Sequence, residues 1–246
     1  MSAKTAVVTG GGMGLGRATA ITLAKAGYKV AVLGRTRSKL EATAEIIGDA
    51  CLPIQAELTN PDEVRGAFAQ VDRAFGRLDA LVNNAAAYRL FKIEEATDAQ
   101  IEEVVAGSLK NSIYTMREAI PRMRAIGGGA IVNVSSEAVE LPAPYLLMYT
   151  AAKAALESLT RGLRGELRGA NIRCMVFRAG VISESSSAVA AGPDLSAAFG
   201  EAFIGGGFAV HYASGPLSPE VMAASIAHMI TSPADANIEL MSLRRV

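Results

Sequence analysis

Residues 5–16 read Thr5-Ala6-Val7-Val8-Thr9-Gly10-Gly11-Gly12-Met13-Gly14-Leu15-Gly16 and run on into Arg17, Ala20, Leu23 and Ala24. Thr5 to Val8 is a short apolar run of strand type, and Ala20, Leu23 and Ala24 recur at the spacing of one helix face. The glycines between them permit a tight turn and let backbone N–H groups approach a pyrophosphate, which the positive end of the following helix also attracts. A glycine cluster alone could be a plain turn. Here the required context is present, with a strand before and a helix after. Gly10, Gly12, Met13, Gly14, Leu15 and Gly16 are therefore candidate cofactor-binding residues.

Outward from this unit, short apolar runs alternate with Ala-rich amphipathic stretches. Thr5–Val8, Lys29–Leu33, Cys51–Gln55, Ala80–Val82, Ala130–Val134 and Ile172–Phe177 read as strands, with helical patterns between most of them. Runs such as Val30-Ala31-Val32-Leu33 are apolar almost throughout, which suits strands buried on both faces. The pattern predicts an α/β fold, a doubly wound parallel sheet of Rossmann type, as a single domain over residues 1–246. Asn60-Pro61-Asp62-Glu63 ahead of Val64, Ala67, Phe68 and Val71 supplies a cap, an N1 proline and first-turn carboxylates for one helix. The stretch from Ser183 to Pro216 is rich in Ser, Ala and Gly and breaks the rhythm; it reads as an irregular substrate lid, with a disordered excursion as the alternative.

Composition narrows the function. The chain has 246 residues, 50% hydrophobic and 20% charged, enough apolar material for a large core, so disorder and fibrous repeats are disfavoured. Its 24 basic residues balance 24 acidic ones, which leaves no global field for a nucleic acid or an anionic membrane. Cys51, Cys174, His211 and His228 stand apart without metal-ligand spacing, so neither a disulfide framework nor a metal site is expected. Met1 to Lys4 runs directly into the first strand with no signal-peptide pattern, and no apolar run reaches the ~20 residues of a membrane span; a cytoplasmic protein is expected.

The second strand ends in Gly34-Arg35-Thr36-Arg37. A carboxylate there would bind the ribose 2′-OH of NAD, whereas arginines suit the 2′-phosphate of NADP, so NADP(H) is preferred and NAD(H) is the alternative. Arg35 or Arg37 could instead only solvate a helix start. Further on, Tyr149-Thr150-Ala151-Ala152-Lys153 places a phenol and an ammonium one helical turn apart. A phenol with its ordinary pKa near 10 is a poor base at neutral pH, and Lys153 could stabilise the phenolate. Ser136 closes the strand Ala130–Val134 at the carboxyl edge of the sheet, where it can meet Tyr149. A Tyr proton donor beside a Ser hydroxyl can polarise a carbonyl oxygen while hydride arrives at carbon.

Together these residues resemble the short-chain dehydrogenase/reductase family along nearly the whole chain. Thr9 to Gly16 fits its TGxxxGxG, Asn83-Asn84-Ala85-Ala86 resembles its NNAG, and Tyr149 with Lys153 fits YxxxK, with Ser136 at the family's interval. The resemblance implies hydride exchange between a nicotinamide cofactor and a small-molecule carbonyl or alcohol, in a homodimer or homotetramer. It makes Tyr149 the general acid/base and Ser136 the holder of the substrate oxygen. Lys153 would lower the tyrosine pKa and bond the nicotinamide ribose. Asn84 and Ala85 would lie beside the adenosine, Glu57 and Leu58 would replace the family's Asp-Val against the adenine, and Val181 and Ile182 would flank the nicotinamide. The helices around Ser108–Arg124 and Tyr149–Arg168 resemble the family's dimerising pair.

The chain also departs from the family pattern. Counting back from Pro121-Arg122-Met123, the catalytic Asn falls on Ser108 and the glycine after it on Asn111, so Ser108 holds the relay water or Asn111 substitutes for it. Arg178-Ala179-Gly180 stands where the family has a small residue and Pro-Gly, and the carboxamide-binding threonine falls on Glu184. Arg178 would bind a substrate carboxylate, pair with Glu184, or point away from the site. Phe91, Leu141, Pro142, Tyr145 and Leu146 suggest a partly apolar substrate site, with Glu137 and Glu140 as surface carboxylates. The tail Ala236–Leu243 lacks the VDGG segment of 3-oxoacyl reductases. An NADPH-dependent reductase of a small or medium carbonyl is expected, with a catalytically weakened nucleotide-binding sensor or partner protein as the alternative.

Overall fold

The computed structural model describes residues 3–183, 193–205 and 215–245. Among them, seven strands form one parallel sheet. They are β1 (Thr5–Thr9), β2 (Lys29–Gly34), β3 (Cys51–Gln55), β4 (Ala80–Asn83), β5 (Gly129–Ser136), β6 (Ile172–Ala179) and β7 (Leu240–Leu243). The order is β3-β2-β1-β4-β5-β6-β7, so the winding reverses between β1 and β4. That switch point opens a crevice at the carboxyl ends of the strands, where open α/β sheets bind ligands. The Rossmann-type reading of the sequence is thus the architecture found.

The helices are α1 (Gly14–Lys25), α2 (Arg37–Ile47), α3 (Pro61–Phe75), α4 (Asp98–Val105), α5 (Asn111–Ala125), α6 (Leu147–Glu166), α7 (Pro193–Gly205) and α8 (Pro219–Thr231). Alternation along each strand builds two cores. Ala6, Val8, Val30 and Val32 face α1 and α8, through Leu23, Met222, Ile226 and Met229. Val7, Ala31 and Leu33 face the other way, towards Val64, Phe68 and Val71 of α3 and Met116 and Met123 of α5. Strands buried on both faces explain the unbroken apolar runs. The start of α3 is built as its sequence indicates: Asn60 accepts the Asp62 N–H at 3.0 Å and Pro61 opens the helix.

Two differences from the sequence reading bear on the site. Strand β5 runs two residues further, so Ser135 and Ser136 pair in register with Arg178 and Ala179 of β6. Part of the stretch read as an irregular lid is helix α7, whose Leu195, Phe199 and Phe203 recur at i, i+4 and i+8 among Ala and Gly and pack on the cluster that contains Tyr149. Glu184 and His211 lie outside the described residues.

Candidate active site

The turn after β1 is held from both sides. The N–H groups of Gly10 and Gly11 donate to the Leu33 carbonyl at 2.7 and 3.3 Å. The Thr9 hydroxyl accepts the N–H groups of Asn84 and Ala85 at 2.9 and 3.0 Å, and the Asn84 side-chain amide donates to the Thr9 carbonyl at 3.0 Å. Gly10 has φ +67°, and a Cβ on it would sit 2.8 Å from the Asn84 amide nitrogen. Helix α1 then starts with Met13 at the N-cap, without a capping side chain and without an acidic residue in its first turn. Its open N–H groups and dipole suit an anion. Gly12 lies against Lys39 instead, and its carbonyl accepts from the Arg17 guanidinium at 2.6 Å.

A cleft of about 810 Å³ runs from this turn along the carboxyl ends of the strands. It brings together Gly10, Met13, Gly14 and Leu15 of the turn, Arg35, Glu57 and Leu58 beyond β2 and β3, Asn84 and Ala85 after β4, and Tyr149 and Ile182. Gly16 is buried behind the turn. Thr36, exposed, stands at the N-cap position of α2 without a capping bond from its side chain, and Arg37 turns from the cleft to pair with Glu41 at 2.7 Å. The Glu57 carboxylate folds back onto the Thr59 N–H and hydroxyl, at 3.0 and 2.9 Å. Val181 is exposed. A dinucleotide fits this cradle: the loop has no room for side chains, the helix start is uncapped, and a cation, Arg35, stands at the far end.

At the other end of the cleft, Tyr149 stands two residues into α6. Burial pushes its pKa up to about 12, and a hydrogen bond with the Ser136 hydroxyl partly offsets this. One turn on, Lys153 is fully buried, with its ammonium 5.7 Å from the Tyr149 ring centre and donating to the Val134 carbonyl at 2.7 Å. Burial pushes its pKa down to about 8. Burial is the leading influence on both groups, raising the phenol and lowering the ammonium.

The two candidates for the relay Asn are both engaged. A π-helical turn, Ala106–Lys110, joins α4 to α5 and aims them at the segment after β4. The buried Ser108 hydroxyl accepts the Ala87 N–H at 3.1 Å and donates to the Ala87 carbonyl at 2.9 Å. Asn111 donates to the Ala85 carbonyl at 2.9 Å and lines the cleft. The Ser108 side chain thus fixes the chain at Ala87, with its donor and one acceptor site occupied.

Arg178 has partners that the sequence reading did not name. Its guanidinium grips Glu157 of α6 through Nε and Nη2 at 2.8 and 2.7 Å, and Nη1 bonds Glu140. Glu157 also accepts from Ser135 at 2.6 Å; burial alone would raise its pKa, but the hydrogen bonds from Arg178 and Ser135 together with the charges of Arg178 and Arg161 leave it lowered. Glu137, expected at the surface, is buried. Glu157 was not singled out in the sequence, where 21 residues separate it from Arg178; only the pairing of β5 with β6 beneath α6 brings them together.

The sequence profile described as short chain dehydrogenase matches residues 4–193. The chain belongs to the short-chain dehydrogenase family. It is a dehydrogenase/reductase. Among relatives of this short-chain dehydrogenase, oxidoreductase asL5 of Sarocladium schorii is 33% identical over 177 residues, 72% of this chain and 71% of the relative. A crystal structure of 3-ketoacyl-(acyl-carrier-protein) reductase from Brucella melitensis complexed with NADH superposes with TM-score 0.85 at 24% identity, covering 98% and 97% of the two chains. The alcohol dehydrogenase of the archaeon Thermococcus sibiricus complexed with 5-hydroxy-NADP superposes with TM-score 0.83 at 23% identity, covering 99% and 97%. Among the described residues no helix is long and apolar enough to cross a membrane, and no His, Cys, Asp and Glu cluster could hold a metal ion.

Proposed function

We propose that this short-chain dehydrogenase is an NADP(H)-dependent oxidoreductase that interconverts a small-molecule carbonyl and alcohol, with Tyr149 as proton donor in the reducing direction. The observation that carries the reading is a Ser136-bonded phenol at one end of a cleft whose other end is a glycine turn on an uncapped helix. When bound, a nicotinamide dinucleotide supplies the hydride. Gly10, Met13, Gly14 and Leu15 would hold its pyrophosphate. Glu57, Leu58, Asn84 and Ala85 would flank the adenosine, Lys153 and Tyr149 the second ribose, and Val181 and Ile182 the carboxamide. Ser136 orients the substrate oxygen towards the phenol, and Tyr149 passes its proton to that oxygen as the carbon is reduced. The described part of the segment 183–216, helix α7, would cover the substrate as a lid.

Arg35 decides the cofactor. Arg37 is tied to Glu41, so the reading rests the 2′-phosphate on Arg35, assisted by Lys39 beside Gly12 and Met13. Fluorescence titration should give at least about tenfold tighter binding of NADPH than of NADH, or 1.4 kcal/mol. Arg35→Ser should remove most of that difference while leaving NADH affinity near the parent value. A parent chain that prefers NADH refutes the assignment of Arg35.

The pH profile follows from the two shifted groups. Tyr149, with a pKa raised to about 12, is protonated and able to donate at every working pH. Lys153, with a pKa lowered to about 8, loses its charge as pH rises through 8. Reduction should therefore run on a plateau below pH 8 and decline above it. Alcohol oxidation needs the phenolate, so its rate should keep rising beyond pH 9. An oxidation rate already level by pH 7 would show that the phenol ionises far below 12.

The groove between α5 and α6, lined by Ile113, Met116, Ile120, Leu159 and Leu163, supports a homodimer or homotetramer in which a second copy covers this face. Light scattering in solution that returns the mass of a single chain would remove this part of the reading.

A further inference from the structure

We infer that the substrate is a neutral ketone carrying an aryl group beside its carbonyl, and not a keto or hydroxy acid. The inference rests on the oxidoreductase reading above and deepens it. Three observations carry it.

The wall beside Tyr149 is aromatic and aliphatic. Tyr88 meets the Tyr149 ring edge-on, with centres 5.2 Å apart and planes at 61°. Leu90 and Leu146 back this pair, and α7 lays Leu195, Phe199 and Phe203 against the same cluster. Aromatic faces and edges arranged this way favour another ring over a hydrated polar group.

The wall is also built at a conformational cost. Tyr145, packed on this cluster, has φ +65°, a region that a bulky residue enters only when its surroundings impose it. The Phe91 N–H donating to the Tyr145 carbonyl at 3.1 Å is part of what imposes it.

Among the described residues, three cations near the wall, Arg178, Arg89 and Lys92, are already matched by carboxylates. Arg178, the cation on the strand beside Ser135, is held by Glu157 and Glu140. Arg89, one residue from Tyr88, is gripped by Glu103 through two hydrogen bonds of 2.9 and 2.7 Å, and Lys92 pairs with Glu95 at 3.2 Å. A substrate carboxylate pairing with Arg178, Arg89 or Lys92 would have to displace the carboxylate already bonded there. Desolvating a charge against such a surface is unfavourable.

The test compares kcat/KM of the NADPH-loaded protein for acetophenone, butan-2-one and acetoacetate. Acetophenone should exceed acetoacetate by at least about fiftyfold, and Phe199→Ala should cut the acetophenone-to-butanone ratio roughly tenfold. Leu195→Ala serves the same purpose should Phe199→Ala not fold. Acetoacetate turned over as well as acetophenone, or a ratio unmoved by both variants, overturns the inference. If none of the three is reduced, it is the oxidoreductase reading that fails. Calorimetric titration of the NADP⁺-bound protein with 1-phenylethanol and 3-hydroxybutyrate then decides the site's preference: tighter 1-phenylethanol sustains it, and equal or tighter 3-hydroxybutyrate overturns it.

Discussion

Tyr149→Phe is expected to lower kcat roughly a thousandfold, about 4 kcal/mol in the barrier, while NADPH affinity stays within about tenfold. The substitution removes one hydroxyl and keeps the ring, so the edge contact with Tyr88 and the position of the Lys153 ammonium behind the ring should survive. What is lost is the proton and the hydrogen bond with Ser136. The partly buried ring, packed against Leu90 and Leu146, keeps these contacts when the hydroxyl is removed. The readouts are single-turnover reduction and cofactor fluorescence on the same sample. A variant that keeps kcat within tenfold of the parent removes Tyr149 as proton donor and, with it, the rising oxidation limb predicted above. A variant that loses cofactor affinity by the same factor as kcat would place the hydroxyl in binding instead of proton transfer.

Most of the scaffold was legible because each part has a local cause. Strands buried on both faces are apolar almost throughout, and Val30 to Leu33 admits little else. The cap at Asn60 and the glycine turn likewise announce themselves within a few residues. What escaped depends on packing that sequence proximity does not encode. The apolar stripe of α7 is diluted by Ala, Ser and Gly, and its three large residues acquire meaning only against Leu90 and Leu146.

The charged network shows the same limit. Arg178 alone invites a substrate anion, yet the register of Ser135 with Arg178, beneath α6 one turn after Lys153, delivers Glu157 to it. The surroundings of Tyr149 show a related limit. A cation four residues away is visible in the sequence, whereas the desolvation of both groups is a property of the assembled core and has the opposite sign on the phenol. Ser108 and Asn111 belong here too: the sequence shows that the usual Asn is displaced, but only the π-helical turn shows that the two residues tie down Ala87 and Ala85.

Gly16→Ala is the second large effect expected, and Gly66→Ala is its control. A Cβ at Gly16 would stand 2.2 Å from the Gly10 carbonyl oxygen and 2.6 Å from the Asn84 amide nitrogen. Neither neighbour is a free side-chain end. The first is backbone of the turn, and the second is fixed by its bond to Thr9. The methyl group must therefore push α1 away from β1 or break the Asn84–Thr9 tie, and either movement spreads the N–H groups proposed to hold a pyrophosphate. Overpacking of this kind costs about 3 kcal/mol, and nucleotide affinity should fall at least about a hundredfold, some 2.7 kcal/mol. At Gly66, on the exposed side of α3, an added Cβ meets nothing within 4 Å, so alanine should stabilise the chain by up to about 1 kcal/mol through helix propensity alone. Denaturant midpoints and NADPH titrations of the two variants separate the causes. If Gly16→Ala lost stability but bound NADPH normally, the glycine would serve helix packing only; a fall in affinity much larger than the fall in stability assigns it to the phosphate cradle.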